Sequence, residues 1–256
     1  METIKVNGVA LEVQRLPGSA GPRAVLVFLH EGLGSVAMWR DWPRQVCDAT
    51  GRAGLVYSRR GYGGSAPVQD VRATGRLSPD YMHRQAWEVL PELLRLLDID
   101  QPVLLGHSDG GSIALLYAAR FPVAACVVMA PHVIVEEVSL RSIEAARDAF
   151  AKDGLRERLA RYHADVDTAF WQWNDIWLSP RFRSFDIRPD CRRISAPVLA
   201  IQGRDDTYGT LRQIEEIAPT SGPFQMEVLA DCGHSPQRDQ PDASRDLIAR
   251  FLETLP

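Results

Sequence analysis

Four short runs of almost unbroken apolar residues, at positions 24–29, 55–58, 102–105 and 123–129, constrain this chain more than any other feature, and two more strands are expected at 197–202 and 224–230. Strands with polar and apolar residues alternating bury one face, whereas strands this uniformly apolar must be covered on both, as in parallel sheets. Parallel neighbours need crossover connections, and helical spacing recurs between the runs at 38–50, 81–97, 112–120 and 211–218, with a closing helix over 242–255. The order of elements predicts an α/β fold with a doubly wound, mostly parallel sheet. The chain opens differently: residues 4–6, the Asn7-Gly8 pair and residues 9–13 read as a hairpin forming an antiparallel edge, followed by a loop over 17–22.

With 256 residues, 45% of them hydrophobic and 24% charged, the chain is long enough for one large core carrying an insertion. The insertion is expected at 136–189, where helical patterns follow one another without a convincing strand, leaving 1–135 and 190–256 as the core domain. Phe170, Trp171, Trp173 and Trp177 crowd into this segment, and such aromatics either pack among its own helices or line a substrate pocket.

A net charge of −4 gives no field for a phosphate backbone or an anionic lipid surface, so neither nucleic acid nor membrane is an expected partner. Cys47, Cys126, Cys191 and Cys232 lack metal or redox spacing and should be reduced. The first eight residues carry Glu2 rather than a basic stretch and apolar core, and no run approaches membrane-spanning length, so a cytoplasmic location is expected.

The run at 102–105 leads into Gly106-His107-Ser108-Asp109-Gly110-Gly111 and then a helical pattern. A strand turning this sharply into a helix holds the serine hydroxyl outward, and small residues flank it because a Cβ would clash there. Asp206 follows the next-to-last strand and His234 the last, so all three groups fall at carboxyl ends of strands, the edge where open α/β sheets bind ligands.

On these residues the chain resembles the α/β-hydrolase family, over nearly its whole length, from His30-Glu-Gly-Leu-Gly-Ser35 through Arg60-Gly-Tyr-Gly-Gly-Ser65 to His234. The resemblance implies Ser108 as nucleophile, His234 as base and then acid, and Asp206 rather than Asp205 as the carboxylate orienting the imidazole. It also implies an oxyanion hole made by the N–H of Asp109 and that of Gly32, with Leu33 as the alternative. The 136–189 insertion becomes a cap.

Two residues depart from the family pattern. Glu31 stands where glycine is usual; its carboxylate is expected to turn toward Arg59 or Arg60, or else to contact substrate. Asp109 either complements the helix dipole or attracts a substrate bearing an ammonium group or hydroxyls. Of the other histidines, His30 and His107 should make structural hydrogen bonds, His83 and His163 should lie at the surface, and His132 faces either the pocket or the core.

The expected function is a cofactor-independent serine hydrolase acting on a small or medium carboxylic ester. Carbon–carbon bond cleavage, lactone or thioester hydrolysis on the same three residues is an alternative, with Arg156, Arg158 and Arg161 as polar groups of the cap. A slow-turnover ligand sensor is another. Gly61-Tyr-Gly63-Gly-Ser-Ala66 imitates a dinucleotide fingerprint, but Pro67 follows at once and no helix begins there, so no nucleotide cofactor is implied. No zinc or phosphate-loop spacing appears either, and a small-molecule substrate is the one partner expected.

Overall fold

The computed structural model describes residues 1–19 and 23–254; the end of the expected 17–22 loop and position 255 of the closing helix lie outside them. Eight strands form one sheet in the order β1-β2-β4-β3-β5-β6-β7-β8. The hairpin β1 (Glu2–Val6) and β2 (Val9–Leu16) is antiparallel and joins β4 (Gly54–Tyr57) antiparallel. The other pairings are parallel, through β3 (Leu26–Leu29), β5 (Val103–His107), β6 (Ala125–Met129), β7 (Val198–Gly203) and β8 (Phe224–Leu229).

Winding reverses beside β3, which lies between β4 and β5. The register pairs Leu29 with Gly106 and His107 with Met129, so the chain leaves β3, β5 and β6 at one level of one edge. Open α/β sheets bind ligands where the strand order reverses, and the loops leaving β3, β5 and β6 share that edge.

Helices α1 (Trp42–Thr50), α2 (Tyr81–Arg84), α3 (Leu90–Leu96) and α4 (Asp109–Ala118) cover the sheet in the first half. The 81–97 pattern is one helical run with a π-turn over Gln85–Val89. Pro91 has no N–H to return to the preceding turn, and the widened turn accommodates that loss. The 38–50 pattern yields a shorter helix, because a 3₁₀ turn at Ala37–Trp39 precedes it and Pro43 sits in its first turn. Helix α4 begins three residues earlier than the apolar spacing indicates, directly after Ser108.

Between β6 and β7 run α5 (Glu137–Lys152), α6 (Leu155–Leu159), α7 (Val166–Trp177) and α8 (Arg188–Cys191). Here the absence of strand holds except for an isolated bridge between Ile134 and Asp186. Phe150, Phe170, Ile176 and Trp177 from this segment join the apolar cluster on one side of the sheet, while Phe28, Trp39, Trp42 and Val46 belong to the cluster on the other. The second half closes with α9 (Arg212–Glu215), α10 (Pro236–Asp239) and α11 (Pro241–Glu253). α9 is only a fragment of the expected 211–218 helix, since Ala218 takes positive φ ahead of Pro219. All four cysteines are buried and unbridged. Among the described residues no helix is long and apolar enough to cross a membrane.

Candidate active site

Ser108 occupies the turn between β5 and α4 with φ 52° and ψ −119°, a conformation that costs a non-glycine residue energy and is held here by its surroundings. Its N–H donates to the Met129 carbonyl at 2.9 Å, which ties the turn to β6. A Cβ on Gly106 would strike the Gly110 carbonyl, and one on Gly110 the Leu29 carbonyl. Both positions therefore need glycine so that α4 can close against β3 and β5.

The structure brings the three strand-end residues together. Ser108 Oγ lies 3.0 Å from His234 Nε2, and His234 Nδ1 lies 2.9 and 3.0 Å from the two Asp206 carboxylate oxygens. Asp206 has no donatable proton when ionised, so Nδ1–H donates to it and Nε2 is left as the acceptor for the serine hydroxyl. The Tyr208 N–H donates to Asp206 Oδ1 at 2.7 Å and the Gln202 amide to Oδ2 at 3.2 Å. Burial alone would raise the Asp206 carboxyl, yet hydrogen bonding and charge from His234, with the Tyr208 N–H, hold it below the usual range. Asp205, one residue earlier, is exposed and points elsewhere.

His234 sits among three rings, Tyr208 at 4.7 Å, His107 at 5.2 Å and His132 at 5.6 Å between centroids. The His107 Nε2–H donates to the His234 carbonyl at 2.7 Å, fixing the backbone of that residue. His132 is buried against both His234 and the edge of Trp177, and its Nδ1 has no partner among the described residues. Burial, reinforced by the neighbouring His234, holds its imidazole down at about 3.

Glu31 does not turn toward Arg59 or Arg60. Its carboxylate lies 3.4 Å from His107 Nδ1, while Arg59 spends its donors on the carbonyl oxygens of His30 and Glu31. Arg59 is buried and approaches the loop backbone from beneath, so its guanidinium meets main-chain oxygens before it can reach the Glu31 side chain. Arg60 is exposed, with its Nε–H directed at the Pro67 carbonyl. Burial opposes ionisation of Glu31, but the hydrogen bond and charge of His107 win and bring its carboxyl to about 2. His30 makes the structural bonds expected of it: Nδ1 faces the Glu31 carbonyl and Nε2 accepts the Arg59 N–H.

Among the described residues the N–H groups of Gly32, Leu33 and Asp109 have no hydrogen-bond acceptor. Gly32 is overlaid by the Trp173 indole, which a Cβ there would strike. The Asp109 carboxylate is almost wholly buried and accepts from Tyr81 Oη–H at 2.7 Å and Trp177 Nε1–H at 3.2 Å, with an Arg59 nitrogen at 3.9 Å. Burial raises its carboxyl, and Arg59, Tyr81 and Trp177 oppose that rise. So enclosed, its carboxylate is shared among Tyr81, Trp177 and Arg59 rather than open to solvent.

Trp173 thus reaches the loop at Gly32 and Trp177 the serine turn at Asp109, but Trp171 reaches neither. It packs at 5.7 Å from Phe150 and 5.1 Å from Phe170 and is covered on its open face by the Arg72 guanidinium at 3.8 Å. Its position two residues before Trp173 puts it on a different side of α7. Arg156 pairs with Asp167 at the surface, Arg158 binds the Asp153 carbonyl, and Arg161 is exposed, so none of the three is a site group.

His163 departs from the expected surface position, and no local pattern signals its role. It is buried, accepts the Gly63 N–H on Nδ1 at 3.0 Å and donates from Nε2 to the Leu33 carbonyl at 2.9 Å. His83 is half-buried against Trp87. A cavity of about 550 Å³ lies beside the Arg59–Asp109 pair, lined by Arg59, Arg60, Tyr62, Tyr81, Arg84 and Gln172 among others; Ser108 is not part of its lining. Among the described residues no group of three or more His, Cys, Asp or Glu is arranged to hold a metal ion.

The sequence model described as the alpha/beta hydrolase family matches residues 26–247. The sn-1-specific diacylglycerol lipase ABHD11 of Mus musculus is 25% identical over 280 aligned residues, which cover 98% of this chain and 88% of that protein. The 2-hydroxy-6-oxo-2,4-heptadienoate hydrolase of Pseudomonas putida is 30% identical over 186 residues, covering 64% of this chain and 67% of that one. Among solved structures, the enol-lactonase from Burkholderia xenovorans LB400 superposes with a TM-score of 0.75 at 21% identity, covering 98% of this chain and 100% of that chain, a likeness of fold.

Proposed function

Because this chain belongs to the alpha/beta hydrolase family, we propose that it is a cofactor-independent serine hydrolase that cleaves a small or medium carboxylic ester through an acyl-enzyme on Ser108. The observation that carries this reading is the unbroken path from Asp206 through His234 to the Ser108 hydroxyl, at 2.9 and 3.0 Å. Ser108 Oγ attacks the ester carbonyl carbon while its proton passes to His234 Nε2. The carbonyl oxygen becomes an oxyanion held by the N–H groups of Gly32 and Asp109. Asp206 keeps the imidazole in the required tautomer and stabilises its cation.

The ester C–O bond then breaks, and His234 returns the proton to the leaving alkoxide, releasing an alcohol. Water attacks the acyl-Ser108 with His234 as base, the acyl C–O bond to Oγ breaks, and a carboxylic acid departs. Residues 136–189 serve as the cap. With Trp173 lying on Gly32, Trp177 bonded to Asp109 and the serine only 6% exposed, bulk water is excluded from the reaction.

Labelling with a fluorophosphonate, peptide mapping, and rates on chromogenic esters, lactones and thioesters of graded chain length test the reading. A single adduct on Ser108 and turnover of an ester, both abolished in Ser108→Ala, are expected. An adduct elsewhere, or full turnover by the alanine variant, overturns it. A second reading, carbon–carbon cleavage of a ring-fission product, draws support from the 30% identity to the Pseudomonas putida hydrolase. A ring-fission product bleached faster than any ester is hydrolysed would replace the first reading with the second.

A further inference from the structure

We infer that the Asp109 side chain is a positioning residue: together with Arg59 and Trp177 it ties the two oxyanion donors to each other and to α7, so that the oxyanion hole is complete only when the cap is seated. This inference rests on the Ser108 chemistry proposed above.

A carboxylate beside a nucleophile, 1% exposed, is an unfavourable choice of residue unless its hydrogen bonds do something an apolar side chain of the same volume would not. Its two hydrogen-bond donors and its ionic partner come from three separate parts of the fold: Tyr81 opens α2 and Trp177 ends α7, both donating, while Arg59, which follows β4, faces it as a charge at 3.9 Å. Arg59 continues the chain of contacts, because it donates to the carbonyl oxygens of His30 and Glu31, the two residues that precede Gly32. The path therefore runs from Trp177 to Asp109, from Asp109 to Arg59, and from Arg59 to the backbone that aims the Gly32 N–H.

Helix α7 closes the loop a second time. Trp173 lies four residues before Trp177, on the same helix face, and its indole rests on Gly32. One face of one helix thus touches both donors, Gly32 by packing and Asp109 by a hydrogen bond at 3.2 Å. Lifting α7 removes a constraint from each donor at once, and the open form binds substrate with the oxyanion donors misaligned.

The test uses Trp177→Phe, which keeps an aromatic ring and deletes Nε1–H, with Tyr81→Phe and Asp109→Asn beside it. The readouts are kcat and KM on the best ester found, the second-order rate of Ser108 labelling by a fluorophosphonate, and Tm. Removing an oxyanion donor outright costs roughly 10²–10³ in rate; loosening one should cost about tenfold in kcat and in labelling rate, with KM within about twofold. The Trp177→Phe, Asp109→Asn double variant should be no slower than the slower single variant, because groups acting as a unit are not additive. A fall in Tm with kcat and labelling rate unchanged overturns the inference, since that is what a purely structural contact gives. An effect confined to cationic esters overturns it too, in favour of charge recognition. If the wild-type protein neither labels at Ser108 nor hydrolyses an ester, the proposed function fails and this inference with it; a labelled wild type with unaffected variants refutes the inference alone.

Discussion

His163 donates to the Leu33 carbonyl at 2.9 Å across 130 residues of chain, next to the loop position whose N–H faces the substrate oxygen in the proposed reaction. The same ring accepts the Gly63 N–H, so one buried imidazole joins α6–α7 to two loops at the sheet edge. Replacing it with alanine leaves a buried N–H and a buried carbonyl unpaired, at about 1–3 kcal/mol each. His163→Ala should lower Tm by several degrees in a thermal melt, whereas an unchanged melt would mean that water replaces both bonds without loss.

The two adjacent aspartates make a sharp comparison. Asp206→Asn replaces an acceptor-only carboxylate by an amide that can donate to His234 Nδ1 and so favour the wrong tautomer, and should lower kcat by about four orders of magnitude with the fold intact by circular dichroism. Asp205→Asn changes an exposed side chain with no contact to His234 and should stay within about twofold of wild type. Equal losses in the two variants would show that the carboxylate has been misassigned.

Glu31 should make the protein sensitive to strong acid. Its folded carboxyl, at about 2, lies below the ordinary 4.5, so its contribution is full above 4.5 and disappears as pH falls through about 2. With the side chain only 23% exposed, that contribution is at most about 3 kcal/mol. Glu31→Gln should lower the urea midpoint at pH 7, and the gap to wild type should narrow by pH 3. A gap that stays constant would place the effect in shape rather than charge.

The buried imidazoles act in a higher window. Burial holds His30, His132 and His163 below the usual histidine range, so the folded state binds fewer protons than the unfolded chain between those values and about 6.5. Their stabilising contribution is complete above about 6.5 and is lost as pH falls from there toward each folded value. Urea midpoints should be flat from pH 8 to 7 and decline between pH 6.5 and 5, before any carboxylate effect. His163→Gln should show a smaller decline, and an identical one would remove His163 from the set.

Much of this was legible in the sequence for identifiable reasons. A strand must be apolar on both faces to sit in a covered parallel sheet, so the runs at 102–105 and 197–202 identify themselves without reference to anything distant. The turn at Ser108 is equally local, because Gly106 and Gly110 are dictated by backbone oxygens a few ångströms away. Long-range pairings leave no such mark. Nothing near Glu31 indicates that His107, across the sheet edge, outcompetes Arg59 for its carboxylate. Trp171 and Trp173 look alike as residues, and only the rotation of α7 sends one to Phe150 and the other to Gly32. His163 sits outside any periodic pattern, and its partners lie 100 and 130 residues away.

The helical segment is also fastened from its other side, where Ser139 and Ser142 on α5 donate to the carbonyl oxygens of Tyr208 and Thr207, beside Asp206. Anchored there and at His163, the stretch between holds its ends fixed while the corner at Lys152, Asp153 and Gly154 stands exposed. Extra residues added at that corner would lengthen a solvent loop and leave both anchorages in place. Descendants of this chain are thus free to enlarge or reshape this helical segment by insertion at one point, without disturbing either anchorage.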